Sequence, residues 1–394
     1  MPTLQIIDTI HQIDREEWDS VAGENIFESY GWLKTFEHNY IGDQKPRYFL
    51  LREEGRLIAV AACYITRPSE RVFNSDDTLL GRFKLYASKM GISFLPALIC
   101  SPWGVFGAHF SFAKHLDSNQ AESAATELIQ SIEDFAYNHQ LPILFHNVMD
   151  HEISLLRSLN ERRYSRAETF PVCYLDVEWS SFEDYLTSVK RISKGNAKMI
   201  RREINKNRSE GVVIQQLETA DGFQEHLYDL VNRNYLNHNG KPFPYRKAYF
   251  KSLKENLGTD AVIYTATKKN KLIGVTVCFR EKKSSYLSYI GVDHDSAGND
   301  FTYFNLAYYH PIRDAILDRI ERMYYGQALY SVKTRRGCKI SNTYTFYKPY
   351  RKISQIAVKP WFWLLSLWYR KKTAREVTRF ASHRTAVTGD EDGT

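Results

Sequence analysis

The sequence predicts a mixed α/β (α+β) chain built from one kind of domain used twice, each copy a mixed central sheet flanked by helices. Three observations carry this. The 394 residues exceed the roughly 250–300 at which a single core stops growing. A composition of 43% hydrophobic and 14% aromatic residues is that of a chain able to bury a core rather than stay disordered. Most telling, "RLIAVAACYI" from Arg56 and "KLIGVTVCFR" from Lys271 share a basic residue, Leu-Ile, a small residue, Val, and a cysteine followed by an aromatic at the same offset.

Each of these stretches follows a short strand-like run, "YFLLREEG" or "AVIYTATKKN", with polar turn residues between, so each reads as a β-hairpin. The order of elements repeats around them. "LQIIDT" and "VVIQQL" alternate as strands, and "REEWDSVA" and "FQEHLYDLVNRNYL" read as helices before the hairpins. After each hairpin come a strand ("LICSPWGVFG"; "YLSYIGVDHD"), a long helix ("NQAESAATELIQSIEDFAYNH"; "YFNLAYYHPIRDAILDRIE") and a further strand ("PILFHNV"; "MYYGQAL"). Strand, helices, hairpin, strand, helix, strand therefore occurs twice. The first domain is expected over 1–178, closing with "VCYLDV"; a basic helical connection over 179–211; the second domain over 212–351; and a basic, Trp-rich tail over 352–394 that ends in disorder.

Composition narrows the chemistry. The five cysteines are widely spaced, odd in number and form no CxxC pair, so neither a disulfide framework nor a metal site is expected. The N-terminal stretch has charges at short intervals and no basic start leading into an apolar run, so no signal peptide is read there and a cytoplasmic protein is expected. The net charge of +7 sits in two patches. Between Lys190 and Arg208 eight basic residues face Glu203 alone, and between Arg351 and Arg379 another eight face Glu376. Within the connection 179–211 Val189, Ile192, Ile200 and Ile204 fall on one side at helical spacing and the cations on the other.

The doubled order of elements resembles the GNAT acyltransferase fold, and its tandem use resembles the FemABX-like branch of that superfamily, which includes peptidoglycan aminoacyltransferases. The stretches that carry the resemblance are "NIFESYGWLKTFE", "SPWGVFG", "SKGNAKMIRREINKNRSEGVVI", "YIGVDHD", "FNLAYYHPIRDAI" and "YGQALYSVKTRRG". Together they span most of residues 1–350. One element of ordinary GNAT enzymes is missing: no Q/R-x-x-G-x-G/A loop, which holds the pyrophosphate of coenzyme A on backbone N–H groups, follows either candidate strand. The resemblance therefore implies transfer of an aminoacyl or other acyl group from a carrier, aminoacyl-tRNA or an acyl thioester, to an amine-bearing acceptor by direct attack. No tightly bound cofactor is implied. An acyl-CoA-dependent N-acyltransferase acting on a small metabolite is the second enzyme reading, and a non-catalytic GNAT-like module binding a membrane or an RNA the third.

Such a transfer needs aligned substrates, a proton acceptor for the amine and a donor for the carbonyl oxygen. The resemblance places a lysine equivalent to Lys333 near the reacting carbonyl. Arg335 and Arg336 suit bidentate phosphate binding, and Gln327 belongs to the same substrate-binding corner. Asp293 is read as a proton acceptor or orienting group, with His294 beside it; Tyr308 as a general acid and Tyr309 as a positioning group. Tyr30 and Trp103 are expected to shape the acceptor site. The stretch from Lys190 to Arg208 suits a tRNA backbone. In "KPWFWLLSLWYRKK" the apolar centre is too short to cross about 30 Å of hydrocarbon, so Trp361–Lys372 is expected either to rest on an anionic membrane surface, making the protein peripheral there, or to dock on the protein.

Overall fold

Both hairpins are formed, and they share a defect. The computed structural model describes residues 2–70, 74–101, 109–219, 222–351 and 355–387, with side chains described as far as residue 377. Strands β1 (Thr3–Ile7), β2 (Gln44–Glu53), β3 (Arg56–Thr66), β4 (Ala97–Cys100), β5 (Ser111–Phe112), β6 (Ile143–Met149) and β7 (Ser165–Glu168) are followed by β8 (Val172–Asp176), β9 (Val212–Leu217), β10 (Ala261–Lys268), β11 (Lys271–Arg280), β12 (Ser284–Val292), β13 (Arg322–Gly326), β14 (Lys339–Ser341) and β15 (Thr343–Lys348). The β2–β3 turn places Glu54 and Gly55 at φ 50° and 79°, and the β10–β11 turn places Lys269 and Asn270 at 50° and 62°. Both are two-residue turns with positive φ at both positions, the geometry that matches strand twist. In each hairpin the register then slips after Leu51 or Ala266, bulging at Ile58 or Ile273. The two bulges stand at the same place in the repeated sequence, as duplication requires.

The chain forms two compact units, 1–168 with 239–258 and 343–365, and 169–238 with 259–342 and 366–394. The sheet of the first runs β1-β2-β3-β4-β6-β15-β7, with β5 added to β3; that of the second runs β14-β8-β13-β12-β11-β10-β9. Read from β1 and from β9 the orders match, with one parallel pair in each (β4 with β6, β12 with β13) and antiparallel pairs elsewhere. Two mixed sheets flanked by helices are what the tandem reading expects.

The linear domain borders are not followed. "VCYLDV", read as closing the first domain, supplies β8 of the second sheet, and β15 fills the corresponding position of the first. Residues 239–258 also join the first unit. Helix Tyr249–Leu257 packs on helix Tyr30–Asn39 through an aromatic cluster in which Tyr245 stacks on Tyr249 at 4.0 Å and meets Phe36 edge-on. Gly31 permits this approach, since a Cβ there would stand 2.4 Å from the Asn256 carbonyl oxygen.

In the first unit the long helix Ser118–Asn138 covers the sheet with Ala124, Ala125, Leu128, Ile129, Ile132 and Ala136 buried, and a reciprocal Asp117–Gln120 capping box starts it. In the second unit the connection is a pair of helices, Phe182–Ile192 and Lys194–Ser209, separated at Ser193. Val189 and Ile200 are buried as expected, but the break turns Ile192 outward, leaving it 60% exposed. The five cysteines are all buried with free thiols. The expected disordered terminus falls mostly outside the described residues; the last helix, Gln355–Val387, reaches into it.

Candidate functional site

The parallel strands β12 and β13 pair over only three residues, Ser284–Tyr286 against Arg322–Tyr324, although β12 continues to Val292. Beyond that point β13 leads into the stretch from Gly326 to Gly337. The chain curls sharply there: Gly326, Ala328 and Leu329 all have positive φ (66°, 64° and 53°). The curl turns three carbonyls inward, and the Lys333 ammonium donates to all of them, at 2.7 Å to Tyr325, 3.2 Å to Gly326 and 2.8 Å to Gln327. An ammonium has three N–H bonds. Each has an acceptor here, and Lys333 is buried. In this geometry the charge of Lys333 holds the loop. Gln327 is held likewise, its side-chain amide donating to the Phe170 carbonyl at 2.7 Å. Left-handed non-glycine residues cost of order 1–3 kcal/mol each, so Ala328→Gly is expected to raise the melting temperature, measured by thermal unfolding.

Arg336 is also buried. Its guanidinium donates to Glu203 at 2.6 Å, to the Tyr309 hydroxyl at 3.0 Å and to the Val332 carbonyl at 3.1 Å, and lies over Phe304 at 4.0 Å and Tyr308 at 5.1 Å. Tyr309 in turn donates to Glu203. Asn305–Tyr309 is a π-helical turn, a distortion that recurs at functional sites. Tyr308 packs on Tyr325 at 4.9 Å, and burial pushes its hydroxyl well above the ordinary range. That makes it a core ring rather than a ready proton donor. Asp293 caps the four-residue helix His294–Ala297, accepting from Ser296, and pairs with Lys271 at 2.9 Å. These hydrogen bonds, that from Lys271 foremost, hold its carboxyl down at about 2. So weak a base does not suit proton abstraction at neutral pH.

A cavity of about 500 Å³ opens outside this buried network. Gly195, Lys198, Met199, Arg202 and Glu203 line it from one face of helix Lys194–Ser209, and Phe304, Val332, Arg335 and Arg336 complete it. Arg336 is neutralised by Glu203, the sole acid of the cavity wall. Lys198, Arg202 and Arg335 are exposed and have no carboxylate partner among the described residues. By contrast Arg201, on the same helix, is paired with Glu183 at 2.6 Å. The cavity thus joins both basic elements singled out in the sequence, the helix and the "TRRG" turn, around a space that suits an anion.

Residues 9–375 match a family described as FemAB-like, peptidoglycan biosynthesis/recognition. The chain belongs to the FemAB-like family. No curated protein matches it in sequence. The fold of this FemAB-like protein is also that of a crystal structure of FemX, with a TM-score of 0.56 at 11% identity over 90% of this chain and 100% of that one. It is similar to the C-terminal domain of a putative lysylphosphatidylglycerol synthetase from Agrobacterium fabrum, with a TM-score of 0.51 at 12% identity over 86% and 93% of the two chains. L-PGS from Bacillus licheniformis aligns with a TM-score of 0.50 at 11% identity over 84% and 95%.

In its first unit this FemAB-like protein has a larger cavity, about 1070 Å³, with Asp43, Glu70, Asp76 and Asp77 in its wall. Lys84 and Lys241 both pair with Asp77, at 2.6 and 2.8 Å, which leaves the wall acidic. Tyr30 lines neither cavity; it opens helix Tyr30–Asn39, and its backbone N–H donates to Asp19 at 2.8 Å. Trp103 lies outside the described residues.

Sequence reasoning passed over Glu28, in "NIFESYGW". It is buried, accepts from Ser111, and its Oε1 has no partner among the described residues. Burial pushes its carboxyl up to about 8, against the Ser111 hydrogen bond. A carboxyl raised on folding holds its proton in the folded state over the range where the unfolded chain has lost it. Stability should therefore be full below the unfolded value near 4.3 and fall as pH rises towards about 8. Urea unfolding of Glu28→Gln across this range should show a flatter pH dependence than the native protein.

Proposed function

We propose that the protein is an acyltransferase whose second unit holds the phosphates of a carrier-bound acyl donor at Lys198, Arg202 and Arg335, and that an amine attacks the donor carbonyl directly, the new C–N bond replacing the ester or thioester bond to the carrier, which leaves as hydroxyl or thiol with the proton the amine gives up. The observation that carries this is the cavity itself: three cations without carboxylate partners among the described residues, drawn from two distant stretches and set around one space beside a buried Arg–Glu–Tyr network. Arg336 acts by keeping that wall rigid, and Lys333 by holding the loop behind it. Family membership supports an acceptor related to peptidoglycan precursors.

Aminoacyl-tRNA is favoured over coenzyme A as carrier. In the second unit the helix after β12 spans only four residues, and the Asp293 carboxylate already takes the Ser296 N–H at its start. A pyrophosphate would meet a negative charge where it needs free N–H groups. The cations on helix Lys194–Ser209 suit an RNA backbone, while Trp361–Lys372 would rest on an anionic lipid surface. The test offers purified protein charged tRNA mixtures and acyl-CoA pools with amine acceptors, and follows transfer by mass spectrometry. Transfer from charged tRNA, reduced at least tenfold by Lys198→Ala with Arg335→Ala, is the expected result. Equal transfer by that variant removes the cavity from the mechanism, and transfer from acyl-CoA alone overturns the choice of carrier.

A further inference from the structure

We propose that the segment from Leu79 to Ile92, together with the start of the last helix, forms a docking surface for an anionic phospholipid bilayer. It extends the interfacial role proposed for Trp361–Lys372 to a part of the chain with no such sequence signature, and makes the first unit itself the contact.

The segment consists of short helical turns, Ser75–Leu79, Gly81–Phe83 and Lys84–Lys89. Only Ala87 of the last turn is buried. Leu85 is 77% exposed, Met90 74% and Tyr86 70%, with Phe83 and Ile92 also turned to solvent. Five large apolar side chains within ten residues exceed the scattered singles that a soluble surface carries. The segment is nevertheless well anchored from behind. Asp76 accepts the Phe94 N–H at 2.9 Å and the Ser93 hydroxyl at 2.6 Å, and Leu79 and Leu80 are buried.

The last helix is tied to this segment. The Trp361 indole N–H donates to the Leu79 carbonyl at 2.9 Å and its ring meets Phe83 edge-on at 5.9 Å, while Phe362 packs on Phe94 at 5.8 Å. With Phe362 and Leu365 turned inward, Ile356, Trp363 and Leu364 are left exposed, Trp363 by 62%. Among the described residues no helix is long and apolar enough to cross a membrane. An apolar face that lies at the interface is the form such residues suit.

Charge selects the occupant. From Thr78 to Pro96 the chain has Arg82, Lys84 and Lys89 and no acid, and from Arg351 to Arg375 it has seven cations and no acid. Of these Arg82, Lys89 and Lys359 are exposed and have no carboxylate partner among the described residues. Apolar side chains interleaved with unpaired cations match anionic headgroups over acyl chains.

The test is co-sedimentation of the full chain with vesicles of phosphatidylglycerol and phosphatidylcholine, or of phosphatidylcholine alone, at low and high salt. Binding to the anionic vesicles that weakens with salt is expected. Leu85→Glu with Met90→Glu should weaken it at least tenfold, since each loses apolar burial and adds a like charge. Arg82→Gln with Lys89→Gln should weaken it about 25-fold, at about fivefold per cation. Each variant's circular dichroism must match the native protein. If Trp363→Ser or Lys371→Gln lowers binding while the Leu85/Met90 and Arg82/Lys89 variants bind as the native chain does, the inference fails and the role of the last helix stands. Equal binding to phosphatidylcholine, or a stable dimer in sedimentation velocity that Leu85→Glu dissociates, also overturns it. Vesicle binding needs no acyl donor, so absence of transfer leaves the inference standing.

Discussion

Replacing Arg336 by methionine is expected to lower the unfolding free energy by about 3–5 kcal/mol, the range for removing one partner of a buried ion pair. The guanidinium and Glu203 are both almost wholly buried. Removing the arginine strands a carboxylate whose only remaining donor in this network is the Tyr309 hydroxyl. Glu203→Gln should cost less, because the amide oxygen still accepts from Arg336 while the charge is lost. Pairing Arg336→Met with Glu203→Leu should recover part of the loss, since an apolar pair of similar volume often replaces a buried ion pair at little cost. Urea unfolding of the four proteins provides the cycle. Additive losses would mean that the two groups act independently, against the bonded geometry.

Lys333→Met should be the second large effect and should appear as a loss of stability. It leaves the carbonyls of Tyr325, Gly326 and Gln327 without their shared donor. Unmet buried polar groups cost about 1–3 kcal/mol each, so a total near or above 3 kcal/mol is expected, less whatever water recovers. Lys333→Arg should rescue only part, because a planar fork does not match three convergent acceptors. Hydrogen exchange should show the loop from Gly326 to Leu329 opening first. A Lys333→Met protein that keeps native stability and loses only transfer would restore this lysine to the reacting carbonyl and contradict the structural role assigned to it.

Local signals made the fold readable. The hairpins are written in adjacent residues, and the shared offset of Cys63 and Cys278 within them exposed the duplication, down to a bulge at the same position. The destination of "VCYLDV" was not readable. An alternating apolar strand specifies a face to bury and not which sheet will pair with it, so β8 and β15 were assigned by sequence order and fall in the other sheets. Residues 239–258 were misplaced for the same reason: aromatic packing on Phe36 leaves no signature in the linear order.

The site was half legible. Both basic stretches stood out, and the lone Glu203 among eight cations was the one available sign that a member of the helix is buried and paired. That Lys198 and Arg202 face Arg335 across one cavity is a product of tertiary packing. The hold of Lys333 on its loop was not legible because its partners are backbone carbonyls, which every residue carries and no motif records. The capping role of Asp293 was not legible because a capping aspartate and a catalytic one look alike until hydrogen bonds are counted.

The most direct test of the anion cavity is the salt dependence of charged-tRNA binding by the native protein and by a Lys198→Ala, Arg202→Ala, Arg335→Ala variant. The native protein should bind with an affinity that falls steeply between about 50 and 200 mM salt, and the variant should bind more weakly, with a slope lower by about one for each phosphate that it no longer neutralises. Equal affinity and slope for the two proteins would show that the cavity holds no phosphate and would contradict the account.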